Sequence, residues 1–182
     1  MKELSLHILD IIQNSITAEA DLIEIELFEN IKENIYSISV KDNGKGMTPE
    51  MLSHVTDPYC TSRTTRKVGM GIPLLKQNAE RAGGSLSIYS ELGKGCFLKA
   101  IFQHNNIDRA MLGDIAGVIV LTAATNENIR FIYTHKTDVG EYVFDTKEIK
   151  EAMDGMSIKQ LQVIKYLKDM IRENLTEIQY SN

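Results

Sequence analysis

The sequence predicts an α+β fold: a two-layer sandwich with helices on one face of an antiparallel sheet, followed by a helix–hairpin–helix extension. Three observations predict it. Residues 3–18 carry apolar side chains at helical spacing. Two alternating apolar runs, 22–28 and 35–41, flank a short polar turn at Asn30 to Asn34. A second pair of such runs follows at 85–90 and 96–102. Such strand pairs, with helices between them, pack as two layers around one core.

In the first helix, Leu6, Leu9, Ile12 and Ile16 form the expected apolar stripe, widened by Ile8 and Ile11, while Asp10, Gln13, Asn14 and Thr17 share another sector. After the 35–41 strand, a short helix is expected at 49–54. The remainder of Met47 to Val68 reads as a long polar loop, of the kind that forms functional lids. Pro73 to Ala82 reads as a helix, with proline in its first turn and Gly83-Gly84 past its end. Glu91 to Gly95 is the turn of the second hairpin. Beyond a boundary near 104–108, a helix is expected at 108–125 and a hairpin at 129–135 and 141–144. Helices at 146–153 and 158–177 follow. The expected division is 1–104 and 105–182, the second part serving coupling, assembly or a homodimer contact.

The composition, 43% hydrophobic and 25% charged, is that of a globular chain. A net charge of −5 argues against a nucleic-acid backbone as partner. No apolar run reaches the roughly 20 residues of a membrane helix. Acids and a histidine interrupt the N-terminus, so no signal peptide is read there. Cys60 and Cys96 have neither metal nor disulfide spacing. A cytoplasmic protein is the expectation.

Four local patterns bear on chemistry. Asp10 and Asn14, at i and i+4, put a carboxylate and an amide oxygen on one helix face, a pair suited to Mg²⁺ or to orienting water. The same pair also suits a solvated polar face. Asp42, with Gly44 and Gly46 at a strand end, can accept from an exocyclic amine while the glycines admit a flat ring. A plain turn fits as well. Gly69-Met70-Gly71-Ile72 precedes the Pro73 helix, where free backbone N–H groups favour a phosphate. A loop end is the alternative. Arg63, Arg66 and Lys67 lie just before it and can pair a terminal phosphate or stay solvated.

The order and separations of these patterns resemble the GHKL (Bergerat-type) superfamily of gyrase-type topoisomerases, heat-shock chaperone ATPases, sensor histidine kinases and MutL mismatch-repair proteins. The resemblance covers about residues 1–104. It implies that Asn14 is the Mg²⁺-binding asparagine of the N box, that Asp42 reads adenine, and that Gly44, Gly46 and Met47 accompany it. It implies that Thr61, Ser62, Arg63, Lys67, Gly69, Met70, Gly71 and Ile72 line the triphosphate. Asp57-Pro58-Tyr59-Cys60-Thr61-Ser62 is similar to the histidine-kinase segment before the lid. Cys96 stands where the family usually has threonine, and Asp10 where hydrolysing members have glutamate. The cofactors implied are ATP and Mg²⁺.

No histidine-bearing helices precede the N-box helix in this sequence, and His7 within it is expected to have a packing or surface role. The expected function is a stand-alone kinase acting on a separate protein. The alternatives are a slow ATP-hydrolysing switch, with Asp10 as base, and a non-catalytic, nucleotide-regulated binding module. The C-terminal part is similar in element order to the segment after the ATPase domain of MutL-type proteins.

Overall fold

The computed structural model describes residues 3–57 and 71–179. The chain order is α1 (Leu4–Thr17), β1 (Leu22–Asn30), β2 (Ile35–Asp42), α2 (Pro49–His54), α3 (Gly71–Arg81), β3 (Ser85–Glu91) and β4 (Gly95–Gln103). Then come α4 (Ile115–Thr125), β5 (Arg130–Lys136), β6 (Glu141–Asp145), α5 (Thr146–Ala152) and α6 (Leu161–Ile178). Among the described residues, six strands form one sheet in the order β3-β4-β2-β1-β5-β6.

The alternation in β1 buries Ile23, Ile25 and Leu27 and leaves Glu24 and Glu26 on the other face, so one side of the sheet meets the helices. In antiparallel β2, Val40 lies opposite Ile25, and Asp42 opposite Ile23. On its other edge β2 pairs with β4, where Asp42 faces Cys96. β3 continues that row with Ser90 opposite Cys96. Asp42, Cys96 and Ser90 thus form one cross-strand row at the end of the sheet.

The C-terminal hairpin does not stand apart from this sheet. β5 runs parallel to β1, from Leu22↔Arg130 to Phe28↔Lys136, and β6 closes the far edge. The first backbone groups of α1 depend on the later chain too. Leu4 N–H donates to Met111 O and Ser5 N–H to Leu112 O, both at 2.8 Å, which satisfies donors that a helix start leaves orphaned.

Two sequence expectations are corrected. The helix expected at 108–125 begins at Ile115. Gly113 has φ +77°, and Asp114 caps the helix by accepting from Gly117 N at 3.0 Å, so the backbone before them is not helical. The buried stripe of α1 is Leu4, Ile8, Ile11, Ile12 and Ser15, and Leu6 is 40% exposed. α6 buries Val163, Leu167, Ile171, Leu175 and Ile178.

Candidate functional site

The sequence-marked residues of α1, the β2 end and α3 meet at one end of the molecule. α1 supplies both contacts. Its Asp10 side chain lies against Gly71, the first residue of α3. Five residues on, Ser15 Oγ donates to Asp42 Oδ2 at 2.6 Å. Asn14 is half-buried on the same helix, between these two anchor points in sequence.

Asp42 is 9% exposed. A carboxylate this deep needs donors. Gly44 N–H supplies one, to Oδ1 at 2.9 Å, and Ser15 supplies the other. A carboxylate has about four lone-pair sites, so acceptor capacity remains. A cavity of about 350 Å³ opens beside it, with Asp42, Leu52, Ile88, Ser90, Cys96 and Phe97 in its walls. The walls are mostly apolar, with Asp42 as the buried anionic acceptor and Lys41, Glu91 and Lys94 exposed at the rim, which suits a flat ring bearing an amine.

The 43–47 loop is held in place by short contacts. Lys45 N–H donates to Ala18 O at 2.8 Å, Asn43 Oδ1 accepts from Leu22 N at 3.0 Å, and Met47 N–H donates to Ser90 Oγ at 2.9 Å. Gly46 sits at φ +67°, and a Cβ there would lie 2.1 Å from Glu91 O. Only glycine satisfies both conditions. Gly44 is buried and Met47 half-buried.

Cys96 is half-buried opposite Asp42. Burial first, and then the Asp42 charge, push its thiol up to about 11. It therefore stays a neutral, weak donor at physiological pH, unlike the hydroxyl of a threonine.

α3 opens toward α1 with Gly71 and Ile72, both buried. The first N–H groups of a helix carry partial positive charge. Burial raises the Asp10 carboxyl above its ordinary value. Oxygens of Asp10 and Asn14, one helical turn apart, are donors of the kind a hard cation takes with phosphate oxygens and water. Among the described residues, no three His, Cys, Asp or Glu side chains form a metal cluster on their own.

His7, one turn before Asp10, is fully buried with Nε2 2.7 Å from Asn78 Nδ2. Burial lowers its pKa to about 4. Of the packing and surface roles expected for it, the structure shows packing, and burial keeps the ring neutral.

Thr61, Ser62, Arg63, Lys67, Gly69 and Met70 lie outside the described residues. Ser15 is the contact residue that the sequence did not single out. Its signal was a polar side chain on the buried stripe of an amphipathic helix.

Comparison with known proteins bears on this arrangement. Residues 2–106 match the family of histidine kinase-, DNA gyrase B-, and HSP90-like ATPases. The Sensor protein SrrB of Staphylococcus aureus (strain NCTC 8325 / PS 47) is 37% identical over 84 residues, 43% of this chain and 14% of that protein. The chain spans between 13% and 15% of the length of the curated sensor proteins it matches first. A solved N-terminal domain of a DNA repair protein superposes with a TM-score of 0.58 at 18% identity, covering 79% of this chain and 52% of that one. The Aquifex aeolicus MutL ATPase domain complexed with ADP gives 0.50 at 16% identity, covering 85% of this chain and 70% of that one. At those identities the two structures speak for the fold, an α+β sheet with helices on one face, which continues here through the C-terminal hairpin. The family match spans more than half of the chain and includes every site residue described above, so this chain belongs to the histidine kinase-, DNA gyrase B- and HSP90-like ATPase family.

Proposed function

We propose that this chain binds Mg-ATP between α1, the β2 end and α3, and transfers the γ-phosphoryl group to a separate protein. The observation that carries this reading is the double contact of α1, with Asp42 through Ser15 and with the α3 start through Asp10. It ties a buried acceptor for an adenine amine and a helix N-terminus for phosphates to one stretch of α1, five residues apart. Asp42 takes the amine, and Gly44, Gly46, Met47 and Cys96 border the ring. Gly71 and Ile72 present N–H groups to the phosphates, together with Gly69 and Met70. Asn14 holds Mg²⁺ through its amide oxygen, and the ion supplies charge neutralisation between phosphates when bound. Thr61, Ser62, Arg63 and Lys67 complete the triphosphate contacts in this reading. The similarity to sensor proteins supports kinase chemistry over other uses of the fold.

Asp10 favours a second reading, a slow ATP-hydrolysing switch. A carboxyl whose pKa is raised by burial, next to a phosphate-binding helix start, is placed to take a proton from water. No helix among the described residues is long and apolar enough to cross a membrane.

The experiment is calorimetric titration with Mg-ATP of wild type and Asp42→Asn, followed by incubation with γ-labelled ATP and partner candidates. Binding by wild type, lost in the variant, with label on a partner, supports the kinase. Label released only as phosphate supports the switch. Binding without either leaves a nucleotide-regulated binding module, and no binding at all removes every ATP-based reading.

A further inference from the structure

We infer that Ser15 sets the base preference of the site, by holding one of the two acceptor oxygens of Asp42 in a fixed orientation. This inference rests on the reading of Asp42 as the group that meets the nucleotide base.

An unencumbered carboxylate is a poor discriminator between purines. Its two oxygens lie side by side and match two adjacent donors. The guanine edge offers such a pair, N1–H and the 2-amino group. The adenine edge offers one donor, the 6-amino group, beside an acceptor. A free aspartate at the base pocket would therefore suit guanine at least as well as adenine.

Asp42 is not unencumbered. Gly44 N–H is 2.9 Å from Oδ1, and Ser15 Oγ is 2.6 Å from Oδ2 with its hydrogen directed to the carboxylate. Each oxygen already accepts one bond from the protein, which leaves one lone-pair site on each and holds the carboxylate in one plane. It then meets the base in a fixed orientation and cannot turn to match two adjacent donors. The Gly44 contact is backbone and cannot be varied by a side chain. The Ser15 contact comes from a different element, 27 residues away in sequence, and is fully buried at 1% exposure. Its burial shields the hydroxyl from bulk solvent. The contact also fixes the plane of the carboxylate, because an oxygen held at 2.6 Å by a rigid helix cannot rotate freely.

Ser15 is thus a positioning residue with a specificity readout, distinct from a general packing role. The test measures Kd for Mg-ATP and Mg-GTP by calorimetry on wild type, Ser15→Ala and Ser15→Cys, with melting temperatures as a folding control. Wild type should prefer ATP. In Ser15→Ala, ATP should weaken by about tenfold, the scale of one hydrogen bond to a charged group, while GTP should hold or tighten. The ATP-to-GTP ratio should then fall by at least about tenfold. Ser15→Cys, nearly the same shape but a weak donor, should give an intermediate ratio, and it carries the comparison if the alanine variant does not fold. Equal loss for both nucleotides, or no change in either, overturns the role of Ser15 and leaves the ATP site intact. A wild type that binds neither nucleotide overturns the site itself, and the role of Ser15 with it.

Discussion

Gly71 and Asp10 touch across the α1–α3 interface: a Cβ built on Gly71 would lie 2.9 Å from Asp10 Cβ and 2.9 Å from Oδ2. Half of that obstruction is a Cβ fixed to a helix, which cannot swing aside. Gly71→Ala should therefore push the start of α3 away from α1. The expected cost is about 1–3 kcal/mol of stability, as for overpacking, with a weaker nucleotide complex. Urea unfolding with calorimetric ATP titration checks both parts.

Asp10→Asn separates the two proposed chemistries. The amide keeps size and packing against Gly71 but cannot take a proton from water. If Asp10 is a general base, phosphate release should fall by about 10²–10⁴-fold while ATP affinity changes little. Transfer of label to a partner with an unchanged rate would assign Asp10 a packing role instead. Steady-state phosphate release and calorimetry on the same preparation decide.

His7 should make the fold acid-sensitive. Its pKa falls from 6.5 to about 4 on folding, because burial disfavours the charged ring. Between those values the unfolded chain binds more protons than the folded one, so stability rises with pH across the window and is lost as pH falls through it. The full contribution is on the order of 3 kcal/mol. His7→Gln removes the titrating ring but keeps an acceptor for Asn78. Unfolding free energies at several pH values should show a steeper acid loss in wild type than in the variant.

Glu29 holds the opposite end of the sheet. Its Oε1 meets His135 Nε2 at 2.7 Å, and its Oε2 meets His104 Nε2 at 2.9 Å. Burial works against this carboxylate, yet the hydrogen bonds of His135 and His104 outweigh it and hold the carboxyl below its ordinary value. Tyr133 Oη lies 2.9 Å from His135 Nδ1, so the network reaches from β1 into β5. Glu29→Ala leaves a fully buried imidazole without its partner and should cost about 2–3 kcal/mol. A shift in the denaturant midpoint at constant m-value would show it.

Local pattern explains what was legible beforehand. The hairpin of β1 and β2 follows from alternation over short stretches, and the loop after Asp42 follows from its glycines. The rotated stripe of α1 was harder. Its many isoleucines and leucines allow two overlapping faces, and only packing against α3 and α4 decides that Leu4 and Ser15 point inward while Leu6 points out. The late start of α4 had a signal in Gly113-Asp114, but eight apolar residues in the helix itself outweighed it. The β1–β5 pairing has no local trace at all, because nothing near Leu22 encodes a partner at Arg130. The contact of Ser15 with Asp42 is similar: each residue was visible, but their meeting is a product of the fold.

The ladder between β1 and β5 also sets a schedule. It joins segments more than a hundred positions apart, from Leu22↔Arg130 to Phe28↔Lys136. On a ribosome, β1 emerges early and can pair with β2 at once, while its other flank stays open until Lys136 has been made. Until then that flank is a bare template for strands of neighbouring nascent chains. Long-range parallel pairing of this kind is slow to form. The second flank of β1 therefore closes only after the chain has reached β5, and the interval in between is a period of exposure to aggregation.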